Sequence, residues 1–118
     1  MEILCPVCGK YRFAEDGDWR WCEVCGWQND SEQNHDAAKK NGVNELSLAE
    51  YRILYQKLSS DDPATREKAA AEKAAHQSAR RKIHEEYTGS NCSIIDAPAM
   101  QRKLDEERAR FLKAVDEL

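Results

Sequence analysis

The sequence predicts a small α+β protein in which an N-terminal four-cysteine knuckle module is followed by three helices. Three observations predict this class: two closely spaced cysteine pairs, aromatic residues that alternate with polar ones between the pairs, and apolar residues at helical spacing beyond residue 47. At 118 residues the chain can form one domain, or a small domain with an appendage. We expect the cysteine module over residues 1–30, a linker that wraps it over residues 31–46, and a helical region over residues 47–118.

The two cysteine pairs have the spacing of a tetrahedral metal site. Two residues separate Cys5 from Cys8 and Cys22 from Cys25, and thirteen residues separate the pairs. Two intervening residues allow a tight turn to point both sulfurs at one ion, and the glycine after each pair allows the backbone to turn over. The sequence therefore predicts one structural zinc ion held by these four cysteines, because zinc is the usual ion of structural sites built only from cysteine.

Disulfide bonds and thiol redox chemistry are the alternatives for these cysteines. Disulfides need an oxidising compartment, and the first residues have neither the basic start nor the apolar stretch of a secretory signal. A redox motif of the thioredoxin type uses one such pair in a βαβ context, whereas this chain has two pairs. A metal is therefore favoured, with iron left open beside zinc. We expect a cytoplasmic protein, since no run approaches the ~20 apolar residues that cross a membrane.

Five of the nine aromatic residues lie in the cysteine module. They are Tyr11, Phe13, Trp19, Trp21 and Trp27. The first four alternate with polar residues at the period of a strand, on either side of a turn at Gly17. This pattern predicts a hairpin of residues 10–13 with residues 19–22. We expect most of these rings to pack as core around the metal, and the alternative is a stacking surface for bases or a peptide. The exposure of Trp27 stays open.

The second half of the sequence predicts helices over about residues 48–58, 63–88 and 97–117. Ser47 and Glu50 have the spacing of a capping box at the start of the first helix. Asp62 and Asp96 are the expected N-caps of the other two, each shortly before a proline. The last two helices have a short link between them and could pair as an antiparallel hairpin.

A stripe of small and apolar residues recurs at every fourth position of the long helix. It consists of Ala71, Ala75, Ala79, Ile83 and Tyr87. Alanine permits close approach of another helix but buries little area, so the stripe either packs within the protein or faces a partner. Together with Trp27, it is the predicted partner-binding surface.

The charge of the cysteine module argues against the commonest use of zinc ribbons. Residues 1–30 have six acidic and three basic side chains, and four thiolates around a divalent ion add about −2. Nucleic-acid binding depends on neutralising phosphates with a basic surface. The module therefore has the wrong sign for nucleic acid, and its charge favours a basic protein partner.

The other reactive side chains do not form a recognisable catalytic arrangement. Cys92 stands alone and is expected to be a small buried hydrophobe, and His35, His76 and His84 lack metal-ligand spacing and are expected to be solvated or partly buried. The sequence contains no phosphate-binding loop and no dinucleotide fingerprint. Because four cysteines leave no open metal position for water, we expect no hydrolytic zinc chemistry and no enzyme activity.

A set of motifs in the first 58 residues matches a known family. The motifs are Cys5-Pro6-Val7-Cys8-Gly9, the thirteen-residue gap, Cys22-Glu23-Val24-Cys25, then Trp27, Asp30, Asn44 and the helix start at Ser47-Leu48. Over about residues 3–58 the chain resembles the cysteine-rich CPCC family of small bacterial and phage-associated proteins. The resemblance implies a rubredoxin-like or zinc-ribbon-like knuckle pair with a helix docked on it, and it implies no particular activity.

The chain departs from the family pattern at two places. Val7 stands where the family has the third residue of its Cys-Pro-Cys-Cys run, which supports Cys5, Cys8, Cys22 and Cys25 as the full ligand set. Glu23 and Gly26 stand where the family tends to have a proline and an aromatic residue. Residues 59–118 have no counterpart in the resemblance, so we expect the specificity of this protein to lie there.

Elimination and family context together predict a non-enzymatic protein that acts through protein–protein interaction. The expected role is that of an inhibitor, such as an immunity protein that blocks a basic toxin domain or a phage blocker of host defence. The alternative is a nucleic-acid-binding or transcription-associated zinc ribbon, with Arg12, Arg20, Trp19 and Trp21 as contacts. A weaker alternative is a rubredoxin-like electron carrier. The oligomeric state stays open.

Overall fold

The computed structural model describes residues 1–91 and 93–118, so the expectation for Cys92 lies outside the described residues. The chain divides into an N-terminal unit, Met1–Ser59, and a C-terminal unit, Ser60–Leu118. The boundary differs from the expected one, because the first helix of the predicted helical region belongs to the N-terminal unit. None of the helices in the described part of the chain combines the length and the hydropathy of a membrane-spanning segment.

Two short strands open the N-terminal unit. Strand β1 is Ile3–Leu4 and strand β2 is Arg12–Phe13; they are antiparallel, with Ile3 opposite Phe13. A single bridge joins Trp21 to Gln28 farther along the chain. The predicted hairpin of residues 10–13 with residues 19–22 is therefore wrong. The residues that pair are instead those on either side of each cysteine turn, Ile3 with Phe13 and Trp21 with Gln28. The turn between two cysteines reverses the chain and brings the residues before and after it together.

The segment between residues 31 and 46 is more ordered than a linker. It begins with helix α1, Ser31–His35, which raises the number of helices in the described part of the chain from the predicted three to four. The Asp30 side chain caps this helix by accepting a hydrogen bond from the backbone N–H of Glu32. The rest of the segment consists mainly of turns and bends and leads to helix α2.

Helix α2, Leu48–Leu58, has the predicted bounds and the predicted start. The Ser47 hydroxyl accepts from the backbone N–H of Glu50, and the Glu50 carboxylate accepts from the backbone N–H of Ser47. This reciprocal capping box satisfies two backbone donors that the first helical turn would otherwise leave without partners. Leu48 and Leu54 are the buried residues of the helix.

The C-terminal unit is a pair of packed helices, α3 over Pro63–Glu86 and α4 over Ala97–Asp116. Asp96 caps α4 as predicted, since its side chain accepts from the backbone N–H of Ala99. The helices run antiparallel: Lys103 pairs with Glu86 near one end and Arg110 with Glu72 farther along. The hairpin expected from the short link is therefore the observed arrangement.

Helix α3 buries a different face from the predicted alanine stripe. Its buried residues are Ala69 and His76, whereas Ala71 and Ala75 are exposed. The other members of the stripe, Ala79, Ile83 and Tyr87, are partly exposed. Positions four apart drift by about 40° around a helix at each step, whereas positions seven apart stay nearly in line. The partner helix therefore covers the face with the seven-residue spacing. The stripe lies outside that face at Ala71 and Ala75 and approaches α4 only toward Tyr87, whose ring lies 5.4 Å from the Lys103 ammonium.

Candidate metal centre

The four cysteine sulfurs converge in the N-terminal unit. Their Sγ atoms all lie within 4.8 Å of one another. The Sγ atoms of Cys5 and Cys25 are 3.6 Å apart, as are those of Cys8 and Cys22. These distances are too long for disulfides, whose sulfurs lie about 2.05 Å apart. They are close to the ~3.8 Å that separates two thiolates on a tetrahedral ion with metal–sulfur distances of about 2.3 Å. The four cysteines can therefore hold one metal ion.

The backbone around each cysteine pair explains why the sulfurs converge. In each turn the glycine N–H donates to the carbonyl of the first cysteine, from Gly9 to Cys5 and from Gly26 to Cys22, both at 2.9 Å. Both glycines have positive φ, +68° and +85°, a conformation that is strained for other residues. The predicted need for glycine after each pair is therefore met in both turns.

The neighbouring hydrogen bonds close each turn into a short ribbon. The N–H of Cys5 donates to the carbonyl of Tyr11, and the N–H of Cys22 donates to the carbonyl of Trp27, each at 2.7 Å. The backbone N–H groups of Val24 and Cys25 also point at the Cys22 sulfur, at 3.3 Å each. Such donors stabilise negative charge on a thiolate, which is the form that binds a metal.

The sulfurs lie in the hydrophobic core of the unit. Cys5 and Cys22 are buried together with Phe13, Trp27 and Leu48. A metal ion held at this position would be part of the core, and its binding free energy would stabilise the fold. Units too small to bury enough apolar surface are commonly stabilised in this way. Val7, which lies between the first two cysteines, packs against this core.

Proximity also perturbs the thiol pKa values. A hydrogen bond from Cys25 lowers the pKa of Cys5 to about 5, although burial acts against this shift. The same contact raises the pKa of Cys25, and burial raises that of Cys22. The contact therefore favours the thiolate form of Cys5 and the thiol form of Cys25. A cation that binds all four sulfurs must displace the remaining protons, so its affinity falls with decreasing pH.

Helix α2 contacts both cysteine turns. The Tyr51 hydroxyl donates to the Cys25 carbonyl at 2.7 Å, and the Arg52 Nε donates to the Pro6 carbonyl at 2.8 Å. The Tyr51 ring also meets Trp27 edge-on, with centroids 5.3 Å apart. Burial, and then the nearby cysteine charges, raise the pKa of Tyr51 to about 12, so its hydroxyl remains a donor. These contacts place α2 in the same unit as the cysteines.

A buried polar network fastens the segment after α1 to the cysteine module. The Gln33 side chain is fully buried, and its amide nitrogen lies 3.0 Å from the carbonyls of Lys39 and Asn44 and 3.3 Å from that of Leu46. Its oxygen accepts from the backbone and side-chain nitrogens of Asn44. Asn44 in turn bonds both backbone groups of Gln28. The burial of Gln33 was not predicted, because an isolated glutamine in a polar segment gives no sign that it will be buried.

Trp27 is not available as the surface anchor that the sequence suggested. It is 0% exposed, and its Nε1 donates to the Asn34 side chain at 2.9 Å. The partner-contacting role predicted for this residue is therefore wrong for the folded unit. Its place directly after the second cysteine turn puts the ring over the core, where the largest apolar side chain gains most by burial.

The two preceding tryptophans lie at the surface. Trp19 is 56% exposed and Trp21 is 64% exposed, so they are not the core residues that the alternation predicted. Trp19 has a φ of +67°, in the left-handed region where a bulky residue costs about 1–2 kcal/mol. Its N–H donates to the Asn29 carbonyl, and its own carbonyl accepts from the Gln28 side chain. The surrounding hydrogen bonds therefore hold an exposed ring on a strained backbone.

His76 is buried in the C-terminal unit rather than solvated. It is 3% exposed and stacks on Phe111, with centroids 4.2 Å apart and planes at 6°. Its Nδ1 lies 2.6 Å from a carboxylate oxygen of Glu107, which also contacts Arg110. Burial acts to raise the pKa of Glu107, but hydrogen bonds from Arg110 and His76 outweigh it and the pKa is lowered. This histidine is a core residue, whereas His35 is exposed and bonds Asp16 at 2.8 Å, and His84 is exposed.

The fold and the four sulfurs together define a small cysteine-rich α+β protein with a candidate metal centre at its N-terminus. A family model described as Cysteine-rich CPCC matches residues 3–86, and the chain belongs to this family. The match extends beyond the expected residues 3–58 and takes in all of α3. No curated protein and no solved structure matches the chain. The rubredoxin-like or zinc-ribbon-like fold implied by the resemblance therefore stays a prediction.

Proposed function

We propose that the protein is a non-enzymatic zinc-binding protein that acts by binding another protein. The observation that carries the proposal is the closeness of the four cysteine sulfurs, all within 4.8 Å in a unit whose core they share. Four sulfur ligands fill a tetrahedral ion and leave no position for substrate or water, so the ion would serve the fold. An all-cysteine set favours zinc, while iron would give the electron-carrier alternative.

Two features support a protein partner. Trp19 and Trp21 present large aromatic surfaces to solvent, and tryptophan is enriched among the residues that dominate protein–protein binding energy. The chain has a formal net charge of −4, and the cysteine module has most of it. Within this proposal the specific role is that of an inhibitor: an immunity protein that blocks a basic toxin domain, or a phage blocker of host defence. Family context and small size motivate that choice.

Nucleic-acid binding is the second candidate, because one specific observation favours it. Trp19, Trp21, Arg12 and Arg20 are all exposed, as a stacking surface with phosphate contacts would require. However, Arg12 lies 3.4 Å from Glu2, and the module is acidic overall. Phosphate binding would have to overcome that repulsion, so the protein partner is preferred.

Native mass spectrometry of the intact chain tests the proposal. The chain would be expressed alone and together with the product of the neighbouring gene in its genome. One zinc per chain and a 1:1 complex with that product support the proposal. A red protein that contains iron would overturn the zinc assignment in favour of electron transfer. Zinc-loaded protein that retains no partner but binds DNA or RNA with steep salt dependence would favour the second candidate.

A further inference from the structure

We propose that Trp19 and Trp21, with the carboxylates of Asp16 and Glu23, form a surface that receives an arginine- or lysine-bearing segment of a partner protein. We call it the tryptophan–acid surface. The inference rests on the proposed function, because it names the chemistry of the partner and the residues that contact it. It also moves the binding surface away from Trp27 and the alanine stripe.

The contrast among the three tryptophans is the first argument. They lie within nine residues of one another, yet Trp27 is fully buried while Trp19 and Trp21 are more than half exposed. The core of the unit is already closed by Trp27, Phe13 and the cysteines. The two exposed rings therefore do not complete this core, and Trp19 is held outward on a left-handed backbone that a glycine would adopt without strain. A strained, exposed aromatic residue is a reason to infer a binding role.

The local charge is the second argument. Residues 15–23 contain four acidic side chains and one basic one. Asp16 accepts from Ser31, Asn34 and His35, and Asp18 accepts from the backbone N–H of Arg20 and the side chain of Asn29. Most of these donors are neutral groups, so they hold the carboxylates in place without cancelling their charge. A hydrogen bond from Asn34 lowers the pKa of Asp16. Burial acts to raise the pKa of Asp18, but hydrogen bonds from Arg20 and Asn29 outweigh it and the pKa is lowered.

Charge and aromatic rings together select the occupant. An indole ring attracts a guanidinium or ammonium group over its face, and nearby carboxylates add long-range attraction to the same cation. In the adjacent cysteine turns, four thiolates around one divalent ion would have a net negative charge and add to this attraction. A nucleic acid would also stack on the rings, but its phosphates would meet this acidic segment. A second copy of the chain would bring the same net negative charge. A basic segment of a different protein is therefore the occupant that fits.

Nuclear magnetic resonance of the zinc-loaded full chain tests the inference with a defined probe. The probe is an Arg-Gly-Arg-Gly-Arg peptide capped at both ends, with a Glu-Gly-Glu-Gly-Glu peptide and a short oligothymidylate for comparison. The three indole N–H resonances report separately on Trp19, Trp21 and Trp27. We expect the arginine peptide to shift the Trp19 and Trp21 resonances, to leave that of buried Trp27 in place, and to lose its effect at high salt.

Variants separate binding from folding. Trp19→Gly removes the ring and suits the left-handed backbone, so it should bind the peptide about fivefold more weakly without lowering the melting temperature. Trp19→Phe keeps an aromatic face and should bind within about twofold of the parent chain. Glu23→Gln should weaken binding and flatten its salt dependence. Ile53→Ala, at an exposed apolar residue on α2, is the matched control and should bind like the parent.

Several results would overturn the inference. One is a peptide that moves none of the three indole resonances. Another is a Trp19→Gly variant that binds as tightly as the parent. If oligothymidylate shifts Trp19 and Trp21 while the arginine peptide does not, the surface binds nucleic acid. If the shifts follow protein concentration without any probe, the occupant is a second copy. A partner complex that survives both Trp19→Gly and Trp21→Ala would refute this surface but keep the proposed function. If the parent chain binds the arginine peptide but forms no complex with any partner protein, the surface is kept and the proposed function is refuted.

Discussion

Replacement of Gln33 by leucine should destabilise the N-terminal unit by several kilocalories per mole, although the two side chains are similar in size. Gln33 is fully buried and bonds groups on three residues of the segment that follows α1: Lys39, Asn44 and Leu46. Leucine can make none of these bonds. The Lys39 carbonyl belongs to a partly exposed residue and can turn to water, whereas Asn44 and Leu46 are buried.

The magnitude follows from the groups that are left behind. Three buried backbone groups lose a partner: the N–H and carbonyl of Asn44 and the carbonyl of Leu46. Each loss costs about 1–2 kcal/mol, and the apolar surface of leucine returns about 1 kcal/mol. The net loss is about 2–5 kcal/mol. Zinc binding contributes about 10–16 kcal/mol in small zinc domains, so the variant should still fold when metal is present.

Urea unfolding of the zinc-loaded chain, followed by tryptophan fluorescence, measures the loss. All three tryptophans lie in the N-terminal unit, so their fluorescence reports on that unit alone. Gln56→Leu is the matched control, because Gln56 is exposed on α2 and the same exchange there should change stability by no more than about 0.5 kcal/mol. If the Gln33→Leu loss is within 1 kcal/mol of the control, the buried network does not hold the segment and the reasoning is wrong.

Three further predictions concern the metal, helix α2 and the C-terminal unit. Removal of zinc by a strong chelator should expose Trp27 and shift tryptophan emission to the red, while helical circular dichroism from α3 and α4 persists; unchanged emission in metal-free protein would contradict a structural role. Tyr51→Phe removes the hydrogen bond to the Cys25 carbonyl and should cost about 1 kcal/mol in the same urea assay, and a neutral result would show that this bond contributes nothing net. The lowered pKa of Glu107 means that its ion pairs stabilise the folded state above about pH 4.5, and that this stabilisation is lost as pH falls through the lower folded pKa. Glu107→Gln should therefore be about 1–2 kcal/mol less stable than the parent at pH 7. In urea unfolding followed by circular dichroism, this difference should shrink as the pH falls below about 4.5 and through the lower folded pKa; a difference that is unchanged in acid would contradict the assignment.

The sequence alone determined the features that depend on local geometry. Four cysteines at fixed short spacings, each pair followed by a glycine, are sufficient to predict one shared site, because the turn itself aims both sulfurs. The bounds of α2, α3 and α4 match the predicted ones within two residues. Capping side chains mark the starts of α2 and α4, and Pro63 marks that of α3, where Asp62 is the N-cap residue but its side chain makes no capping hydrogen bond. These signals act on the first helical turn without help from the rest of the chain. The family resemblance, carried by the same cysteine motifs, is confirmed by the match over residues 3–86.

The tertiary structure decided which side of each element is buried. Phe13 and Trp27 enter the core while Trp19 and Trp21 do not, although all four are large and apolar, because pairing across each cysteine turn fixes which positions face inward. The buried face of α3 likewise depends on α4, which covers Ala69 and His76 and leaves Ala71 and Ala75 of the stripe exposed. Burial of Gln33 required Asn44 and Leu46 to return to it across the chain. Composition and residue spacing determine the local structure of one segment. Which of its side chains are buried or hydrogen-bonded depends on the distant segment that packs against it.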